Sequence, residues 1–128
     1  MVRMTRLTIL LLVLTPALAL ADKNYTGGKG ATWDCAKDPT VNINHGKGTY
    51  TFKGACKEIN VNGGENKLTI AEVDTLNING GKNTVDIGEI ETLNVVGAGN
   101  TIRWKKTKSG DKPAVNVVGT ENKVDQAK

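Results

Sequence analysis

The chain is poor in the residues that most often carry chemistry. Only five of its 128 residues are aromatic: two Trp, two Tyr and one Phe. There is a single histidine, His45, a single serine, Ser109, and beyond residue 6 a single arginine, Arg103. A nucleophile–base–orienter triad would have to join Ser109 to His45, which fall in different repeats, so serine hydrolase chemistry is not expected. Two cysteines and one histidine are too few for a structural zinc site. Exposed aromatics interleaved with basic residues, the signature of single-stranded nucleic-acid binding, are absent. The apolar run at residues 7–14 is too short for a spanning helix, and no later run approaches the required length.

The N-terminal run reads as an address. Arg3 and Arg6 precede the apolar stretch, Pro16 breaks it, and Ala19-Leu20-Ala21 offers small residues for cleavage. Residues 1–21 are therefore read as a signal peptide, with the mature chain starting at Asp22 and exported to the periplasm or beyond. No cysteine follows the cleavage signal, so lipid attachment there is not expected. Without Arg3 and Arg6 the chain keeps 15 basic residues against 13 acidic ones, a net charge of about +2. That bias is too weak to argue for nucleic acid or an anionic membrane as partner.

Among what is present, one pattern dominates. Ile59-Asn60-Val61-Asn62-Gly63-Gly64-Glu65-Asn66-Lys67-Leu68-Thr69-Ile70 returns 17 residues later from Leu76 and again from Leu93. A degraded copy starts at Val41 and a shortened one at Val115. Apolar residues alternate with polar ones inside each unit, the period of a strand with one buried face. A Gly-Gly-x-Asn or Gly-x-x-Asn turn separates the two strands, since glycine and asparagine tolerate positive φ. A linker with one apolar residue, Val73 or Ile90, closes the circuit as a third side. A fixed period with fixed turns means stacked coils. The expected fold is all-β, a small parallel β-solenoid of about five coils. An antiparallel meander or β-sandwich is the alternative, but it needs no constant spacing at both turns.

Registering the copies predicts three outward or turn columns. Asn66, Asn83, Asn100 and Asn122 form one ladder, Asn60, Asn77, Asn94 and Asn116 a second, and Thr69, Asp86 and Arg103 a third in which Asp86 and Arg103 can pair. Cys56 falls on the column of Val73 and Ile90. In an exported chain, two cysteines read as one disulfide, Cys35–Cys56. It would pin the first full coil to an N-terminal cap around Trp33. The period breaks once, between Leu93 and Val115, where residues 105–113 form a polar insert. The resulting layout is a cap at 22–40, a repeat domain at 41–124 and a tail at 125–128.

Paired cysteines, V-x-V-x-G-x-x-N-x-[VI] units and a closing stretch recur together here. That closing stretch holds Ile102-Arg103-Trp104-Lys105, Gly110, Lys112-Pro113, Val115, Gly119 and Asn122. Over about residues 35–124 the chain resembles a bacterial exported family, domain of unknown function 3060. It departs at Gly48, where the other units carry asparagine. The resemblance implies an exported β-repeat domain and no activity.

Two charged clusters are candidate sites. Stacking places Glu72 over Glu89 and Asp74 over Glu91, a corner suited to a weak cation site such as Ca²⁺ or, less simply, to acid–base chemistry on polysaccharide. Arg103, Lys105, Lys106, Lys108 and Lys112 cluster about the insert and offer an anionic-ligand contact. Trp104 falls on the inward column of Ile70 and Ile87 and is expected in the core. No cofactor is implied. The expected role is a non-enzymatic structural or binding module of the envelope or secretome, with envelope polysaccharide or another protein as partner. The alternative is a glycan-binding or polysaccharide-acting protein using the stacked carboxylates. Unpaired strands at the solenoid ends also allow end-to-end self-association.

Overall fold

The computed structural model describes residues 22–27 and 29–127. The expected signal peptide lies outside the described residues. Among the described residues nine strands form one continuous sheet in which every pairing is parallel: β1 (Lys23–Tyr25), β2 (Gly30–Asp34), β3 (Thr40–Ile43), β4 (Thr49–Asn62), β5 (Lys67–Asn79), β6 (Thr84–Ala98), β7 (Thr101–Thr107), β8 (Ala114–Thr120) and β9 (Lys123–Gln126). They wind into a β-solenoid of about six coils. The 17-residue period appears directly in the register, where Leu76 lies beside Leu93 and Leu68 beside Val85.

Alternation fills the bore. Ile59, Val61, Leu68, Ile70, Leu76, Ile78, Val85, Ile87, Leu93 and Val95 are all buried and point inward, while their sequence neighbours face out. Each buried aliphatic side chain contributes about 1.5–3 kcal/mol relative to exposure. Cys56 pairs in register with Val73 and meets Cys35 in a disulfide, both cysteines lying inside the bore. Trp33 and Trp104 occupy the same inward column, at opposite ends of the stack.

Residues 22–40 are not a separate cap. They form the first coil, with Tyr25 beside Ile43 and Trp33 beside Phe52. The two ends of the register, Tyr25–Ile43 and Gly30–Thr49, show that this coil's turn is one residue shorter. The last coil likewise runs further than expected, since β9 carries the strand to Gln126 and leaves little tail. A β-bulge at Lys53-Gly54 explains the 18-residue spacing between Val41 and Ile59.

Every one of the 13 asparagines lies on one of three columns. Asn24, Asn42, Asn60, Asn77, Asn94 and Asn116 run up the outward side of the first strand, each Nδ2 from Asn42 onward donating to the Oδ1 of the previous coil at 2.8–3.1 Å. At the turn the ladder is buried. Asn83 Oδ1 accepts from the Asn66 amide at 3.0 Å, and Asn83 Nδ2 donates to Gly63 O at 3.0 Å. Asn66, Asn100 and Asn122 repeat the arrangement. The left-handed residue of the turn is the one before the asparagine, or before Gly48 in the coil that lacks one: Lys47, Glu65, Lys82 and Glu121 have φ of 61°, 60°, 57° and 58°. The asparagines are there for their amides, not for their φ. Glycine is required at the start of the turn, because a Cβ on Gly80 would stand 2.0 Å from Gly63 O.

Candidate functional site

The two charged clusters meet. In the third side of the coil Glu72 lies in register with Glu89, and Glu89 with Lys106. The carboxylate corner is therefore formed, but it is not left open. The Lys108 ammonium, reaching back from the insert, sits 2.7 Å from Glu72 Oε1 and also bonds Asp74 Oδ1. These are the ion pairs present among the described residues, so Asp86 and Arg103, although register partners, form none. The hydrogen bonds to Asp74 and then to Glu72 hold the Lys108 pKa above the usual lysine value. Glu91 remains exposed, and no three acidic, histidine or cysteine groups among the described residues come together as ligands for a metal.

The remaining insert cations diverge. Lys106 joins the column of Glu89, and Lys112 lies at the C-terminal end of the stack beside Trp104 and Val115. Arg103 and Lys105 point to the outer wall. There they border a groove of about 310 Å³ whose banks carry Thr51, Thr69 and Asp86. Lys53 closes the far end, a residue the spacing alone did not single out because the bulge at Lys53-Gly54 shifts its register. The groove exists because the corner after the buried Ile70 and Ile87 carries only Ala71 and Gly88. A Cβ on Gly88 would stand 2.3 Å from Ala71 O, so the floor admits nothing larger. The sequence signal for Lys53 is its place beside the Ala71–Gly88–Lys105 column once the bulge is allowed for.

A second, shallower trough of about 820 Å³ follows the turns, with Lys29, Lys47 and Lys82 around a floor of Gly46, Gly64 and Gly81. His45 lines this trough, while Ser109 lies in the insert and accepts a bond from Thr107 Oγ1. The structure does not bring the two together. Trp104 is 6% exposed in the core, as its column predicted.

Residues 43–88 match the family model described as Protein of unknown function (DUF3060). The DUF3060 match covers the second to fourth coils and ends before the Trp104-to-Asn122 stretch on which the sequence resemblance also rested. No curated protein and no solved structure matches the chain. Among the described residues no helix is long and apolar enough to cross a membrane.

Proposed function

We propose that the protein is an exported, non-enzymatic binding module that holds an anionic polysaccharide along its outer groove. The carrying observation is the groove itself: Lys53 at one end, Arg103 and Lys105 at the other, and between them the Thr51 and Thr69 hydroxyls and one carboxylate, Asp86, over a floor of Ala71 and Gly88. Cations at both ends suit a polymer with spaced carboxylates or sulfates, and hydroxyls suit its ring oxygens. Three observations support the rest of the reading. The disulfide accords with an oxidising compartment. The leading residues have signal-peptide character. The strongest carboxylate cluster, Glu72 and Asp74, is engaged by Lys108 rather than presented to a substrate.

The test is a glycan array of carboxylated and sulfated polysaccharides, probed with the chain and two variants. Arg103→Gln/Lys105→Gln should weaken binding about three- to tenfold, because each exposed cation contributes under about 1 kcal/mol, and the loss should shrink in high salt. Lys47→Gln/Lys82→Gln, on the turn trough, should bind as the parent does. Equal loss from both variants would show charge attraction without a groove. No binding to any acidic glycan would refute the proposal.

A further inference from the structure

The two ends of the stack are built differently. At the N-terminal end Lys23 occupies the inward column of Val41 and Ile59, and its ammonium lies over the rings of Tyr25 and Trp33 at 5.2 and 4.7 Å. Lys37 lies over Trp33 as well, at 5.8 Å. The asparagine column also ends there, since Asn24 Nδ2 turns back to Asp22 O at 2.9 Å. An inward charge on a short terminal strand is a standard defence against strand addition.

The C-terminal end has no such defence. β8 pairs only with β6 among the described residues, and its seven residues, Ala-Val-Asn-Val-Val-Gly-Thr, carry no charge. Val115 and Val117 continue the inward column of Leu93 and Val95 yet are 41% and 42% exposed. On the outer wall the column of Asn44, Asn62 and Asn79 changes to Val96 and Val118, which are 50% and 64% exposed. The mouth of the bore is a cavity of about 530 Å³ over Trp104, Pro113, Val115 and Val124. Its charged lining residues are one cation, Lys112, and one anion, Asp125.

We propose that this end is a self-docking surface, on which two copies join through antiparallel pairing of their β8 edges about a twofold axis. A second copy is the occupant that fits. Its β8 offers the same uncharged edge and valines, and its Lys112 and Asp125 present each sign of charge to the other. Head-to-tail growth is blocked by the lysines over the opposite end, so the contact closes at a dimer instead of running on into a fibre.

Sedimentation equilibrium of the purified chain should show a dimer. Val117→Lys, or Val118→Lys should the first variant fold poorly, should weaken it at least about tenfold, or about 1.4 kcal/mol. Spin labels should then separate the two ends. Val118→Cys should report a short interlabel distance, and Thr26→Cys a long one of about 50 Å, roughly eleven coil spacings of about 4.8 Å. A chain that stays monomeric, an association untouched by either lysine, or a short distance from Thr26 would each overturn the proposal.

Discussion

At the scale of single residues, Gly48 is the departure that most needs a cause. Every later coil has asparagine at that turn position, and Gly48 has none because Tyr50 fills the space. A Cβ on Gly48 would lie 2.5–2.7 Å from Cε2, Cζ and the hydroxyl oxygen of the Tyr50 ring. The ring is buried against Tyr25 and Phe52, its hydroxyl has no partner among the described residues, and burial raises its pKa. Substituting Gly48→Asn should therefore destabilise the chain by about 1–3 kcal/mol, the usual cost of overpacking. Adding Tyr50→Leu, the residue type at the equivalent Leu68, should recover most of that loss by restoring the rung. Urea unfolding of the two single variants and the double variant measures the coupling, and strict additivity would show that the two sites do not compete. The sequence exposed the odd glycine but not its reason, because an aromatic two residues away in an alternating strand looks like ordinary core.

Columns are the next scale up, and the two fully bonded asparagine ladders differ in what they protect. Asn83 is fully buried, and its amide serves a buried backbone N–H and a part-buried backbone carbonyl. Replacing it with Ala leaves both unpaired and should cost about 3 kcal/mol. Asn77 bonds side chain to side chain on the partly exposed wall, so Asn77→Ala should cost about 0.5–1 kcal/mol. Comparable losses in chemical denaturation would mean that burial is not what sets the value of the ladder. Both columns were legible from spacing, since a 17-residue period puts equivalent amides within reach of each other. The rung at Asn24 leaves no such trace. Lys23 in an inward position hides the alternation of the first coil, and the turn after it is one residue short. The tie from Lys108 to Glu72 and Asp74 was also out of reach. It joins residues 34 or more apart across two coils, and nothing in a local pattern tells where a side chain from an insert will land.

For the whole molecule, stability is shared between neighbouring coils, and each coil touches only the next. The first coil has one neighbour, and the disulfide ties it there over a sequence separation of 21, worth about 3 kcal/mol in the chain-entropy view. The Cys35→Ala/Cys56→Ala variant should lose that amount, and it should fray from one end. With Trp104→Phe, leaving Trp33 as reporter, fluorescence should change at a lower temperature than with Trp33→Phe, leaving Trp104. Coincident transitions would instead show one cooperative unit. The sequence by itself determined the parallel stack, the inward columns, the disulfide and the asparagine ladders, because all of these follow from a period repeated along the chain. Only the tertiary structure decided that residues 22–40 add a coil, that the insert's lysines part company, that Lys53 joins Arg103 and Lys105 across a groove, and that one end is guarded while the other is open. These depend on a bulge, a shortened turn and the reach of individual side chains, which interrupt the period and so leave no periodic trace.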